Sequence, residues 1–189
     1  RTPKNREAIS RSTYLEFNRV VFQNKMPDSL PIEWSTRLLR TAGRCYSRRE
    51  VVKDGDYVVI RICRIELSTK VLDTEHRLRS TLLHELCHAA AWYFDHVNRP
   101  PHGRVFRKWG ARATDCFPEH AVTTRHSYSI HCKYRWRCER STAWPREGGS
   151  LCDCPARDLG RHSKSIKVEE VRCGRCGGRL VYLGTFKRD

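Results

Sequence analysis

Leu82-Leu83-His84-Glu85-Leu86-Cys87-His88-Ala89-Ala90-Ala91-Trp92 is the stretch on which the reading of this chain turns. In a helix, residues four apart lie about 40° apart around the axis and roughly 6 Å along it, so His84 and His88 reach one ion from the same face. Glu85, next to His84, projects beside that ion, placed to take a proton from a water on the metal rather than to bind the metal itself. The pattern predicts half of a hydrolytic zinc site of the protease kind. Its surroundings favour the helix that this requires. Leu78, Leu82, Leu83, Leu86, Ala89, Ala90 and Tyr93 recur at helical spacing, no Gly or Pro interrupts residues 75–95, and Asp73 or Thr74 stands where a cap belongs. A helix over 74–95 is expected. The bland alternative is a buried helix whose histidines only make hydrogen bonds.

Two histidines leave a zinc site one protein ligand short. Downstream runs Asp95-His96-Val97-Asn98-Arg99-Pro100-Pro101-His102-Gly103-Arg104-Val105-Phe106. The proline pair forces a turn, and Gly103 lets the backbone approach the metal before a further helix at 104–114 carrying Val105, Phe106, Trp109 and Ala113. His102 is therefore the expected third ligand. His96 competes for that place, but its position suits it equally to capping the end of the preceding helix.

Upstream, Ala8, Ile9, Tyr14, Leu15, Phe17, Val20, Val21 and Phe22 fit an amphipathic helix over residues 6–24, packed on a sheet. Pro31–Ser35, Leu39–Ser47 and Asp56–Leu67 read as three strands, with Gly43 weakening or bulging the second and Arg48–Gly55 supplying the turn to the third. The expected fold class is α+β: a small antiparallel sheet packed with helices, the ion lying between the histidine helix and the sheet edge.

Composition narrows the partners. The 189 residues suffice for one ordinary domain and a small appendage, and 37 Lys and Arg against 21 Asp and Glu leave +16. Such a surplus points to a polyanion, nucleic acid before anionic membrane. No run of about eighteen apolar residues is present, so no membrane-spanning segment is expected. Beginning at Arg1 rather than Met, the chain reads as part of a longer protein, and no secretory signal is expected within these 189 residues, since no apolar segment follows the basic start. Ten cysteines, paired closely only as Cys173-x-x-Cys176 and Cys152-x-Cys154, suit metal and a reducing compartment better than a disulfide framework. Cys45, Cys63, Cys87, Cys116 and Cys132 are expected as buried thiols. Nothing resembles a coiled-coil seam, and a monomer is expected.

Residues 126–189 form a second unit behind a first of residues 1–125. Tyr128, Ile130, Cys132, Tyr134, Trp136 and Cys138 alternate with polar residues as a strand does, a loop follows around Ala143–Ser150, and Arg179–Leu183 is a further strand. Cys173-Gly174-Arg175-Cys176-Gly177-Gly178 is a zinc knuckle, its glycines letting backbone amides fold toward the sulfurs. Cys138 is the expected third ligand; position 141 is Ser, so the fourth must be Cys152 or Cys154. A structural zinc follows, in a zinc-ribbon-like β subdomain. Tyr134, Trp136 and Trp144 interleave with Lys133, Arg135, Arg137, Arg140 and Arg146, the mixture in which bases stack on rings and phosphates meet cations. Arg161, His162, Lys164 and Lys167 make a second basic stretch that either binds phosphate or holds the ribbon together.

His84-Glu85-x-x-His88 followed by His102-Gly103-x-x-Phe106 resembles the active site of the SprT-like metalloproteases, the family that includes Spartan. Thr41-Ala42-Gly43, Arg125-His126-Ser127-Tyr128 and Gly160-Arg161-His162-Ser163-Lys164-Ser165 are similar to the type found in germ cell nuclear acidic protein and its fungal relatives, over about residues 8–183. The resemblance favours Cys154 over Cys152 as the fourth structural ligand. It implies a zincin-like fold and a DNA-dependent zinc endopeptidase acting in the nucleus on proteins covalently crosslinked to DNA; the expected DNA partner is single-stranded or junction-containing. A DNA-binding zinc adaptor with little or no protease activity is the rival reading. An intact Glu85 speaks against it.

Overall fold

The computed structural model describes residues 5–54, 56–124, 128, 132–140, 159–167 and 169–186. They form two compact units, one running to Tyr128 and one after it. The first is mixed α/β. It comprises α1 (Arg6–Val20), β1 (Ile32–Ser35), β2 (Gly43–Asp54), β3 (Asp56–Ser68), α2 (Glu75–Tyr93) and α3 (Arg104–Cys116), followed by a 3-10 turn at Pro118–His120.

α2 is the axis of this unit. The Thr74 side chain accepts a hydrogen bond from the Arg77 N–H at 3.2 Å, supplying the N-cap. From Leu78 to Trp92 the helix is buried on nearly every side. α2 lies inside the unit, with β2 and β3 on one side and α1 and α3 against others. Leu78, Leu82, Leu83 and Leu86 are fully buried with Ile65 and Leu67 of β3 and Tyr14 and Phe17 of α1.

α1 ends at Val20, a little short of the end expected before Asn24, because Gln23 and Asn24 take left-handed backbone angles (φ 58° and 55°). Asn18 then closes the loop: its amide donates to the Met26 carbonyl at 3.2 Å and its side-chain oxygen accepts from the Met26 N–H at 3.1 Å.

The sheet has the order β1-β3-β2 and is mixed, which corrects the expected antiparallel sheet. β2 and β3 pair antiparallel from Gly43↔Leu67 to Asp54↔Asp56, whereas β1 pairs parallel with β3 from Ile32↔Ile65 to Ser35↔Ser68. The loop between β1 and β2 reverses the chain and leaves a strand's width between them. β3 returns into that gap and must run in the direction of β1. Alternation within each strand is blind to this arrangement. The β2–β3 ladder also runs through Arg48–Asp54, where a turn was expected. Val51↔Val59 and Val52↔Val58 are cross-strand β-branched pairs that extend the ribbon, although Arg48, Arg49 and Glu50 give the segment a loop's composition.

The second unit is a three-stranded antiparallel sheet of order β5-β4-β6, from β4 (Tyr134–Cys138), β5 (Leu159–Arg161) and β6 (Leu180–Thr185). Its small core joins Trp136, Cys138, Cys173 and Leu180. No helix among the described residues is long and apolar enough to cross a membrane.

Candidate metal centre and active site

α2 presents His84 and His88 one turn apart, and the turn before α3 brings His102 to them. The Nε2 atoms of His88 and His102 stand 3.2 Å and 3.3 Å from the Nε2 of His84. An ion bound at about 2.0–2.1 Å by tetrahedral nitrogens separates them by about 3.3–3.4 Å. The three imidazoles therefore fit a zinc ion.

Their protonation suits the same role. Burial lowers the pKa of His88 from 6.5 to about 4, aided by the neighbouring His102, and burial lowers that of His102 as well. Neutral rings turn lone pairs, not protons, toward the common point. Phe106 of α3, 3% exposed, is the wall behind them: its ring centroid lies 4.9, 4.4 and 4.8 Å from those of His84, His88 and His102. α3 is tied to the end of α2 by Asp95, which accepts from Trp109 Nε1–H at 2.6 Å and pairs with Lys108 at 3.3 Å. His96 stays outside the cluster. It is exposed, has φ 61°, and lies in the turn that ends α2, where the Val97 N–H donates to the Ala91 carbonyl.

Glu85 is 5% exposed. Burial raises its pKa from 4.5 to about 8, while a hydrogen bond from the Cys45 backbone and the charge of Arg44 pull the other way. β2 thus holds the carboxylate from its first turn of strand. Gly43 makes the approach possible: a β-carbon there would stand 2.8 Å from Thr81 Cγ2 and 3.1 Å from Glu85 Cγ, so this glycine admits the strand to the helix. Gly103, by contrast, packs closely on Pro100, not on the histidine cluster. The site opens into a cleft of about 770 Å³ walled by residues 40–47 of the β1–β2 loop and β2, by α2, and by residues 97–106.

In the second unit, the ligand atoms of Cys138, Cys173 and Cys176 lie within 4.8 Å of one another, with Cys138 Sγ 3.4 Å from Cys176 Sγ. The knuckle closes through the Gly177 N–H on the Cys173 carbonyl and the Gly178 N–H on Cys176 Sγ, with Gly177 at φ 68°. Three thiols so gathered fit a thiolate metal site. Cys152 and Cys154 lie outside the described residues, as do His126, Trp144 and Arg146.

The expected nucleic-acid residues divide. Trp136 is 5% exposed, and its ring packs against Tyr182 in the core, so the stacking face expected of it is spent on packing. Tyr134 is half-buried, with Lys133 over its ring at 5.2 Å. Lys164 stands 5.4 Å over Tyr182 and Arg135 5.5 Å over Phe186. Arg161 is half-buried beside Tyr134 on β5, and Arg137 lies on β4. Tyr182 and Phe186 escaped the sequence reading because they fall beyond the basic run; Tyr182 was legible as a strand aromatic. His120 was missed too: buried, it accepts from Arg79 Nε at 3.1 Å and contacts Ser80 Oγ at 2.9 Å, and burial lowers its pKa.

Fold and site together define a mixed α/β protein with a histidine-triad candidate metal centre beside a buried carboxylate. The chain belongs to the SprT-like family, a family of metalloprotease type, whose profile matches residues 10–126. It is 39% identical over 187 residues to the germ cell nuclear acidic protein of Drosophila melanogaster, a match spanning 98% of this chain and 16% of that protein. It is 34% identical over 185 residues to an HMG box-containing protein of Schizosaccharomyces pombe (95% and 48%) and 29% over 187 residues to the human germ cell nuclear acidic protein (98% and 24%). The chain thus spans from 16% to 48% of the lengths of these relatives.

Proposed function

We propose that this chain is the catalytic part of a DNA-dependent zinc endopeptidase that cleaves proteins covalently crosslinked to DNA, and that its second unit is a zinc-ribbon holding nucleic acid. The observation that carries the reading is three imidazole nitrogens at zinc-ligand spacing, with the buried carboxyl group of Glu85 one residue along from His84. His84, His88 and His102 are the ligands, and Glu85 is the proton carrier. A zinc ion held there would supply Lewis-acid polarisation of the scissile carbonyl and a water acidified toward neutrality.

The chain's own residues do the rest. Glu85 accepts the proton of the attacking water on its carboxylate and delivers it to the leaving amine. The Cys45 backbone and Arg44 keep that carboxylate oriented and able to ionise. β2 is an edge strand, and residues 43–47 line the cleft, so an extended substrate segment can lie along it as an added strand. The zincin-like description and the separation into a protease subdomain and a ribbon subdomain belong to this reading.

DNA as partner rests on the +16 charge, on the ring and cation pairs of the second unit, and on relatives named for a nuclear protein and for an HMG box. A nuclear site of action rests on the same names. The test is cleavage of a protein crosslinked to an oligonucleotide, with and without added DNA, by the native chain and by Glu85→Gln. Cleavage that needs both DNA and Glu85 is expected. Zinc at the histidines and tight DNA binding without cleavage by the native chain would replace the protease with an adaptor.

A further inference from the structure

The cleft is charged in one sense. Arg40, Arg44, Arg99 and Arg104 all line it and all are exposed, while Glu85 at its floor is its one carboxylate among the described lining residues. Arg44 lies opposite Glu66 across the β2–β3 ladder and shares its charge with it. Arg40, Arg99 and Arg104 make no ion pair with any described residue. Local stability does not account for them: Arg104 opens α3, where a cation stands against the helix dipole.

The arginines also stand on both walls. Arg40 and Arg44 belong to the β1–β2 loop and β2, Arg99 and Arg104 to the turn and helix that carry His102. A chain passing over the histidines therefore meets guanidinium groups on either side of the bond to be cut.

Building on the protease reading, we propose that this cleft selects acidic peptide segments, with Asp or Glu flanking the scissile bond held by Arg99 and Arg104 on one wall and Arg40 and Arg44 on the other. A guanidinium meets a carboxylate through two parallel hydrogen bonds, which gives orientation as well as attraction. Nucleic acid is the competing anion, and the shape of the site favours peptide over a duplex. His84 is only 5% exposed at the floor, and a cleft of about 770 Å³ admits one extended chain but not a duplex, so single-stranded DNA is the competitor that the displacement measurement separates from peptide.

The test uses the full zinc-loaded chain with DNA present and three peptides that differ only in the residues flanking one scissile bond: Asp/Glu, Asn/Gln or Lys/Arg. The expected kcat/KM order is acidic, neutral, basic, with about tenfold between the extremes at low salt and less as salt screens exposed pairs. Arg99→Glu/Arg104→Glu, which sets two carboxylates against the remaining Arg40 and Arg44, should shrink the spread between the acidic and basic peptides to about twofold. Arg48→Glu, a charge reversal outside the cleft, should leave the order intact. Equal rates for the three peptides, or an order that Arg48→Glu disturbs as much, overturns the proposal.

Binding of the labelled acidic peptide to zinc-loaded Glu85→Gln gives a readout without cleavage. Displacement of that peptide by single-stranded DNA, with the double reversal weakening DNA as much as peptide, would assign the arginines to phosphate and overturn the proposal too. The two readings fail separately. Acidic peptide that binds and is never cut by the native chain sinks the protease, while cleavage without preference sinks only the acidic selectivity.

Discussion

Glu85 and Gly43 show how single residues set the chemistry. In the metal-free chain the Glu85 carboxyl titrates near 8, whereas in the unfolded chain it titrates near 4.5. Between those values the folded state holds a proton that the unfolded state has lost, so stability falls as pH rises through this window and levels off above about 8. His88 has the opposite sign, because its folded pKa of about 4 lies below the ordinary 6.5, and its contribution is complete by pH 6.5. Between pH 7 and 8 the Glu85 effect is therefore separable. Native metal-free protein should lose up to about 1.4 kcal/mol per pH unit relative to Glu85→Gln, read from denaturant midpoints. Parallel curves for the two proteins would contradict the burial argument. Gly43→Ala tests the same carboxylate from outside. Its new methyl meets the methyl of Thr81, which is fully buried, and the Glu85 stem. A loss of about 1–3 kcal/mol and a fall of about tenfold or more in peptide hydrolysis are expected. Thr81→Ser removes the methyl in the way and should restore much of both in the double variant.

Among the elements, α3 matters less for its length than for Phe106, whose ring touches all three histidines. Phe106→Ala should cost about 3 kcal/mol of stability and weaken zinc binding, since the rings lose the wall that fixes their planes. Phe106→Leu, which keeps most of the volume, should retain zinc affinity within a few-fold by competition with a chelator; equal losses for both variants would mean that the ring itself, not its bulk, holds the site. α2 was legible in sequence because from Leu82 to Trp92 an apolar run is broken only by His84, Glu85 and His88, while Thr74 marks its start. His102 was legible because a proline pair and a glycine announce a turn. Phe106 was readable as a core residue only, since nothing in a helical pattern tells which way a ring faces. The parallel placement of β1 was out of reach for a similar reason: strand periodicity fixes faces, while partner and direction are set by how the loops close. The long β2–β3 ribbon was hidden by its charges, which resemble a loop's until the cross-strand valines are paired.

For the whole molecule, two compact units each carry a cluster fit for a metal ion, one of imidazoles and one of thiols. Under the proposed function the three imidazoles would leave an open position for substrate, whereas the thiols, completed by a fourth ligand, would give their binding energy to folding. Among its described residues the second unit has a small core, four buried residues around Trp136 with partly buried neighbours such as Tyr134, Leu159 and Tyr182, which is little apolar surface for three short strands. Cys176→Ser should therefore reduce bound zinc from two equivalents to one and unfold this unit, visible as lost near-ultraviolet signal from Trp136. DNA affinity should fall by about tenfold or more, with a shallower dependence on salt, because the cations of this unit no longer face one phosphate backbone. His102→Ala should remove the other equivalent and abolish cleavage while DNA affinity stays within about twofold. If Cys176→Ser leaves DNA binding and its salt slope unchanged, the surplus charge acts through the first unit, and the ribbon stabilises the chain without gripping nucleic acid.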